Sequence, residues 1–318
     1  MKTIPFSRNS ILLAPMAGIT DSGFRRLCRK YGADCTVSEM ISSKGIYYND
    51  KKTSRLMHYS PAEEPIIIQI FGNDSDCMKY AAEYINRSCS PAAIDINMGC
   101  PAPKIYQNGD GCALMKDIRK AHGIISAVKE VSDFPVSIKF RSGIDSEHIN
   151  AVEFAQMCEN AGADFITVHG RTREQFYSGK SDINVIKDVV NNVSIPVIAN
   201  GDITDSESAE HVLKYTGAHS LMIGRASLGN PLIFSKIKNE LTDKENKYND
   251  ADIFNIAAEH LTYVIEDKGE LQAVREFRKH LLYYLKGVKN AAMLKQLSCK
   301  AVTRNDCMKI FELARKNI

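Results

Sequence analysis

Residues 93–140 read AIDINMGCPAPKIYQNGDGCALMKDIRKAHGIISAVKEVSDFPVSIKF. The segment begins and ends with short apolar runs, at residues 93–96 and 136–140, and between them apolar residues recur at helical spacing over residues 118–131. A short buried strand, a helix and a second strand in that order are typical of a βαβ unit, in which the two strands are parallel. The segment therefore predicts an α/β fold with a parallel sheet.

The same alternation continues on both sides of this segment. Further short apolar runs lie at residues 12–14, 36–38, 66–70, 165–168, 196–199 and 220–223, and further helical patterns lie at residues 77–87, 151–161 and 206–215. With the first two runs this makes eight strands. Eight strands with helices between them fit a closed (β/α)₈ barrel of about 250 residues better than an open sheet. We therefore predict a (β/α)₈ TIM barrel.

The barrel does not account for the whole chain of 318 residues. Residues 244–250 are polar and lack apolar periodicity, which is typical of a linker. The residues after them have helical patterns without the alternation of strands. We therefore predict three parts, namely a catalytic barrel over residues 1–243, a linker over residues 244–250 and a small all-helical C-terminal domain over residues 251–318.

The nine cysteines are odd in number, scattered and never spaced as C-x-x-C. This pattern predicts neither a disulfide framework nor a zinc site, and it is typical of reduced thiols in the cytoplasm. Pro15 and Gly18 interrupt the first apolar run too early for a secretory signal, and no segment approaches the roughly 20 apolar residues of a membrane span. We expect a cytoplasmic monomer without a metal site or a membrane segment.

The charge is distributed unevenly along the chain. Residues 251–318 contain 12 Lys and Arg against 8 Asp and Glu, while the first 250 residues contain 29 against 30. On a helix over residues 271–286, the side chains of Arg275, Arg278, Lys279 and Lys286 fall within an arc of about 100°. Such a face is either a solvated surface of a helix packed on the barrel or a surface for a phosphate backbone.

Polar and glycine residues follow the last strands of the predicted barrel. Asn200-Gly201-Asp202 and Gly224-Arg225 come after the seventh and eighth strands, where barrels commonly bind phosphate through loop N–H groups. Lys139, within an apolar strand, and His169, at the end of another, indicate the same anionic ligand. The alternatives are ordinary turns, a lysine whose ammonium reaches the surface and a core histidine.

Cys100 follows the strand at residues 93–96 and precedes Pro101. A free cysteine is more often a small buried apolar residue than a catalyst. At a strand end, however, a thiol with an ordinary pKa of about 8.5 stays protonated at neutral pH and can donate a proton. The sequence has no clear base or helix N-terminus that would lower this pKa to make a nucleophile. Cys100 is therefore a candidate general acid.

Seven blocks of the sequence resemble, in order, those of the tRNA-dihydrouridine synthases, most closely the B-type bacterial branch. The blocks are LAPMAGITDSGFRRLCRKYGA, SEMISSKG, PIIIQIFG, DINMGCPAPKI, HGRTREQFYSGKSD, PVIANGDI and MIGRASLGNP. The resemblance implies that NADPH reduces a tightly bound FMN, that the flavin gives hydride to C6 of uracil in tRNA, and that Cys100 protonates C5.

The resemblance also implies residue roles. The FMN set is Pro15, Met16, Ala17, Gln69, Lys139, His169, Asn200, Gly201, Asp202, Gly224 and Arg225. Candidate contacts to uracil or its flanking phosphates are Asn97, Arg141 and Arg171, and those of the tail to tRNA are Arg275, Arg278 and Lys279. Departures from the family pattern are Cys112, Tyr283 and Ile183, and they bear on substrate choice more than on the reaction.

Two other functions remain compatible with these residues. One is a different FMN barrel that reduces a free small molecule, and the basic helical tail argues against it. The other is a protein that binds and remodels tRNA without chemistry, and the presence of Lys139, His169 and Cys100 argues against that. Bound flavin in the purified protein would exclude the second alternative.

Overall fold

The computed structural model describes residues 2–242, 244–245, 248 and 252–317. Its strands are β1 (Ile11–Leu13), β2 (Cys35–Val37), β3 (Ile41–Ser42), β4 (Ile66–Phe71), β5 (Ala93–Met98), β6 (Val136–Arg141), β7 (Phe165–His169), β8 (Val197–Asn200) and β9 (Ser220–Ile223). Each of the eight predicted runs lies at one of these strands, and β3 is an additional short strand that the sequence did not reveal.

The strands form a closed parallel barrel. β1 pairs with β2 on one side and with β9 on the other, β2 pairs with β4, and the remaining strands pair in sequence order from β4 to β9. The register at the closure places Leu12 opposite Met222 and Thr36 opposite Ile66. β3 extends the wall beside the C-terminal end of β4. The predicted (β/α)₈ barrel is confirmed.

The helices lie between and after the strands. They are α1 (Ser22–Lys30), α2 (Ser43–Tyr47), α3 (Lys51–Arg55), α4 (Ser75–Ser88), α5 (Pro103–Gln107), α6 (Ile118–Val131), α7 (Ala151–Asn160), α8 (Ile183–Asn192), α9 (Ser206–Thr216), α10 (Ile233–Leu241), α11 (Ile253–Lys268), α12 (Glu270–Tyr284), α13 (Ala291–Lys300) and α14 (Arg304–Arg315). Short 3₁₀ segments lie at Pro61–Glu63, Gly111–Lys116 and Arg225–Ser227. No helix in the described part of the chain is long and apolar enough to cross a membrane.

Helix ends follow local capping chemistry. The Asp117 side chain accepts a hydrogen bond from the Lys120 N–H and starts α6, while Asp205 and Ser208 form a reciprocal capping box at the start of α9. α9 ends at Gly217, whose φ of 69° is the left-handed conformation that glycine adopts without strain. These signals explain why the predicted bounds of these two helices agree closely with the structure.

The barrel interior changes from apolar to polar along its axis. At the N-terminal end it is filled by a cluster that includes Leu12, Ile67, Phe165, Ile198 and Met222. The ring of Phe6 packs edge-on against that of Phe165, with centroids 5.3 Å apart, and closes this end. Because side chains alternate along a strand, the residues two and four positions further on face the same interior near the other end.

The C-terminal helices have a core of their own and also pack on the barrel. Phe254, Leu261, Phe277, Leu281 and Phe311 belong to a buried cluster separate from that of the barrel. All elements in the described part of the chain from residue 252 onward are helices, as predicted. Most of the predicted linker, residues 244–250, lies outside the described residues, so the domain bounds stay a prediction.

α11 lies very close to α1. A Cβ atom on Gly23 would meet Val264 Cγ2 at 2.6 Å and Val264 N at 3.0 Å, so glycine is required for this approach. Two ion pairs flank the contact, Arg26 Nη1 to Glu266 Oε2 at 2.8 Å and Lys268 Nζ to Asp21 Oδ2 at 2.7 Å. The first barrel helix and the helical tail therefore share one packed interface.

Candidate active site

Polar side chains line the C-terminal end of the barrel interior. They follow the apolar layer at two-residue intervals along five neighbouring strands and are Gln69, Asp95, Asn97, Ser137, Lys139, Thr167, His169 and Asn200. Active sites of barrel enzymes lie at this end, because loops that follow the strands can change without disturbing the core. The structure therefore places five sequence-predicted site residues at one mouth, namely Gln69, Asn97, Lys139, His169 and Asn200.

A chain of hydrogen bonds runs from a buried carboxylate to the Cys100 loop. Asp95 accepts hydrogen bonds from Ser137 Oγ at 2.6 Å and from Gln69 Nε2 at 2.7 Å. Gln69 Oε1 accepts from Asn97 Nδ2 at 2.8 Å, and Asn97 Oδ1 accepts from the backbone N–H of Cys100 at 2.9 Å. An ionised carboxylate can only accept, so Asp95 fixes the orientation of both amides.

The pKa of Asp95 is raised to about 6 by burial, against the lowering effects of its bonds to Ser137 and Gln69 and of the Lys139 charge. The carboxylate is therefore ionised at neutral pH at some energetic cost. The relay through Gln69 and Asn97 needs three-dimensional contacts that residue spacing does not reveal.

Cys100 is half-buried and free. Burial raises the pKa of its thiol above the ordinary value, with the Ala102 N–H and the Arg141 charge acting in the opposite direction. The thiol is therefore protonated at neutral pH, which suits a proton donor and not a nucleophile. Gly111, at φ 59°, presses against this loop, since a Cβ atom there would lie 2.8 Å from Cys100 O.

Positive charge is concentrated at the mouth. Lys139 Nζ donates to Asn200 Oδ1 at 2.9 Å, and burial, followed by the nearby Arg141 charge, lowers the pKa of Lys139 to about 8. The pKa of His169 is held well below its ordinary value by burial and then by Lys139, Arg141, Arg171 and Arg225. His169 is thus neutral beside several cations, a setting that favours an anionic ligand.

The turn after β8 is built around Asp202. Its carboxylate accepts from Arg171 Nη2 at 2.7 Å, Arg225 Nη2 at 3.2 Å and the Ser181 backbone N–H at 2.8 Å. Gly201, at φ 125°, lies so close to Ser181 that a Cβ atom would clash with its hydroxyl. Arg171 is 2% exposed, and within the described part of the chain neither its Nη1 nor the buried Ser181 Oγ has a hydrogen-bond partner. These unpaired groups are suited to a phosphate.

Contacts connect the predicted cofactor residues around the rim. Gly224 lies beside Met16, since a Cβ atom on the glycine would be 3.7 Å from Met16 Sδ, and His169 lies beside Gly201. The Met16 N–H donates to Thr20 Oγ1 at 3.1 Å, which shapes the loop that also carries Pro15 and Ala17. Two pairs of the predicted set, Met16 with Gly224 and His169 with Gly201, therefore lie side by side at the barrel mouth.

The predicted substrate residues already have protein partners. Arg141 donates through Nε to Gly99 O at 3.0 Å and through Nη1 to Thr172 O and Phe176 O, both at 2.9 Å. This guanidinium therefore joins the Cys100 loop to the loop after β7. Contacts from Asn97, Arg141 and Arg171 to uracil stay a prediction.

The three predicted tail residues differ in their surroundings. Arg278 donates through Nε and Nη2 to Ala301 O, at 2.9 and 2.7 Å, and so holds α12 to the end of α13. Lys279 Nζ would lie 3.9 Å from a Cβ atom on Gly18, in the loop after β1. Arg275 is exposed. Lys279 therefore reaches the barrel rim, while Arg278 has a structural contact.

Sequence reasoning missed two exposed aromatic residues at the mouth, Phe176 and Tyr177. Their rings contact each other at 4.9 Å between centroids, and the Tyr177 ring lies 4.8 Å from Arg225 Cζ. Phe176 has a positive φ of 52°, which is uncommon for a residue other than glycine. Both residues lie within the HGRTREQFYSGKSD block, and their place in that block is the signal that the sequence offers.

Comparisons with known proteins agree with this architecture. The family model described as dihydrouridine synthase (Dus) matches residues 12–316. The tRNA-dihydrouridine synthase B of Shewanella oneidensis is 42% identical over 280 residues, which cover 87% of both chains. The protein of the same description from Yersinia pestis is 43% identical over 282 residues, with the same coverage.

Solved structures of low sequence identity share the fold. Histamine dehydrogenase from Rhizobium sp. 4-9 superposes with a TM-score of 0.58 at 12% identity over 83% of this chain. A 2-naphthoyl-CoA reductase superposes with a TM-score of 0.56 at 13% identity over 75% of this chain. In both cases the match covers 50% of the other chain. The family match over nearly the whole sequence is the stronger finding, and the chain belongs to the dihydrouridine synthase family.

Proposed function

We propose that this protein reduces specific uridines in tRNA to 5,6-dihydrouridine, with tightly bound FMN as cofactor and NADPH as reductant. The observation that carries the proposal is a protonated Cys100 thiol at a barrel mouth whose wall is strongly cationic. The family match and the names of the relatives support the substrate class.

The residues present fit FMN. Lys139, neutral His169 and the turn that contains Gly201 would hold its anionic part, since Arg171 Nη1 and Ser181 Oγ are buried without partners from the residues that the structure describes. An anion here would also restore the pKa of Lys139, which burial lowers to about 8. When bound and reduced, FMN supplies the hydride that C6 of uracil accepts.

Cys100 supplies the other hydrogen. Addition of hydride to C6 leaves an electron pair and negative charge at C5 and the adjoining carbonyl, and transfer of the Cys100 proton to C5 completes the saturated ring. Asn97 holds the Cys100 N–H and keeps the loop in place. The resulting thiolate regains a proton from solvent, because the residue is only half-buried.

The helical tail is assigned to tRNA. The positive excess of residues 251–318 suits a phosphate backbone, and Lys279 lies at the rim where an extruded base would enter. We place the activity in the cytoplasm, where free thiols such as these nine persist, and we assign it to a single chain with residues 251–318 as the tRNA-binding part.

The test compares Cys100→Ala with Cys112→Ala. Cys112 is a buried thiol near Cys100, and it serves as the matched control. Cys100→Ala should keep its flavin and its oxidation of NADPH but lose about 10²–10⁴-fold in dihydrouridine formation, measured by mass spectrometry of tRNA from a deletion strain. Cys112→Ala should stay near wild type. An unchanged rate of dihydrouridine formation in Cys100→Ala would mean that Cys100 has only a packing role. A wild-type protein that reduces free small molecules but not tRNA would overturn the substrate assignment.

A further inference from the structure

Three buried side chains meet where the helical tail packs on the barrel. Asp21 precedes α1, His260 lies on α11 and His280 lies on α12. One potential ligand atom from each residue lies within 4.8 Å of the other two. None of the three residues has a part in the reaction proposed above.

The two histidines lack the partners that buried polar groups normally have. His260 is 0% exposed and His280 is 1% exposed. His260 Nδ1 lies 3.1 Å from the hydroxyl of Tyr284, but His260 Nε2 and both ring nitrogens of His280 have no hydrogen-bond partner among the described residues. Unpaired buried polar atoms destabilise a fold, so their presence points to a ligand.

We propose that Asp21, His260 and His280 bind one divalent transition-metal ion of the zinc type, which clasps the first barrel helix to the helical tail. Imidazole and carboxylate together suit zinc and its neighbours, whereas magnesium and calcium prefer oxygen ligands. The Tyr284 hydroxyl on His260 Nδ1 matches the usual outer hydrogen bond of a metal-binding histidine and leaves Nε2 for the ion. The Phe24 ring lies 5.2 Å from His260 and 5.5 Å from His280, and it shields the site.

Binding requires a small contraction. Tetrahedral zinc with ligand distances near 2.0–2.2 Å keeps its ligand atoms roughly 3.3–3.5 Å apart. The potential ligand atoms of the three residues lie within 4.8 Å of one another, so they must come closer together. Because α11 already rests on the α1 backbone at Gly23, the three side chains must rotate toward the ion to close this difference. The ion would therefore tighten the interface and raise the melting temperature of the full-length protein.

Lys268 competes for the same carboxylate. Its ammonium donates to Asp21 Oδ2 and to Glu276 Oε2, both at 2.7 Å. When the ion binds, Lys268 keeps Glu276 and releases Asp21. Replacing Lys268 with Met removes this competing charge and keeps most of the side-chain volume, so it should tighten metal binding by about tenfold.

The experiment strips the full-length protein with a chelator and titrates it with Zn²⁺, and with Co²⁺ as a spectroscopic probe. We expect one equivalent per chain, a higher melting temperature and the visible absorption of four-coordinate Co²⁺, with the three side chains and one water as ligands. His260→Gln and His280→Gln should lose all three, while His219→Gln, a histidine outside the cluster, should keep them.

If the cluster variants do not fold, Lys268→Met decides. Tighter binding supports the site, because a purely structural ion pair predicts only reduced stability in this variant. The proposal is overturned by a wild-type protein that binds no stoichiometric metal, by binding that survives both histidine substitutions, or by weaker binding in Lys268→Met.

Discussion

Replacing Asp95 with Asn should change the way stability depends on pH. In the folded protein, burial raises the pKa of Asp95 to about 6, compared with about 3.9 in an unfolded chain. A carboxyl group with a raised folded pKa contributes most stability below its unfolded pKa and loses that contribution as pH rises through its folded pKa. The affected window therefore runs from about pH 4 to about pH 6.

The size of the effect follows from the shift. A difference of about two pKa units corresponds to about 3 kcal/mol, of which roughly 1 kcal/mol develops between pH 5 and pH 7. Asn at this position cannot ionise, and its amide oxygen accepts only one of the two hydrogen bonds from Ser137 and Gln69, because its amide nitrogen cannot accept the other. The lost hydrogen bond lowers the unfolding free energy of Asp95→Asn by about 1–3 kcal/mol at every pH. It therefore shifts the plot of unfolding free energy against pH without changing its slope.

The assay is urea unfolding followed by circular dichroism from pH 5 to pH 8, which suits a chain without tryptophan. The unfolding free energy of wild type minus that of Asp95→Asn should fall as pH rises. Asp164→Asn is the matched control, because Asp164 is also buried but its pKa is lowered: burial acts to raise it, and Lys129 and the Val136 N–H outweigh that effect. The unfolding free energy of wild type minus that of Asp164→Asn should not change with pH above pH 5. A flat or rising difference for Asp95→Asn would refute the assignment of a strained carboxylate.

Two further predictions concern the cofactor and the tail. Lys139→Ala should lose most of its flavin affinity, measured by flavin absorbance after dialysis, because it removes the buried cation at the mouth, and full occupancy would contradict the phosphate assignment. Arg275→Ala with Lys279→Ala should weaken tRNA binding and lower its salt slope by about one unit for each phosphate that the two side chains bind. Arg278→Ala should instead lower the melting temperature, because Ala301 O loses two donors. Wild-type tRNA affinity with an unchanged salt slope in the variant Arg275→Ala with Lys279→Ala would exclude this helix as the docking surface.

The barrel was predictable because its signals are local. Each strand is a short apolar run between polar turns, and α6 was predicted at its observed bounds from apolar residues at helical spacing. The mouth was predictable for the same reason, since polar residues at the ends of parallel strands must converge. Cys100, Lys139 and His169 could therefore be proposed as neighbours from their positions alone.

Long-range packing explains what could not be predicted. β3 has only two residues and depends on the end of β4. The structural contact of Arg278 with Ala301 depends on where α13 ends, and helical projection gives no information about that. The cluster of Asp21 with two histidines of the tail forms only when α11 and α12 dock on α1. No spacing rule relates residues that far apart.

The absence of a side chain at Gly23, a glycine, has a consequence for how the protein would select a uridine in its substrate. Because α11 rests on the α1 backbone at that point, the tail is fixed to the barrel and does not swing about a hinge. An RNA gripped by such a tail is presented to the mouth at a set distance. For an enzyme that acts on tRNA, the fixed distance between the tail and the mouth would then determine which uridine is reduced. A bulkier residue at position 23 would change that distance.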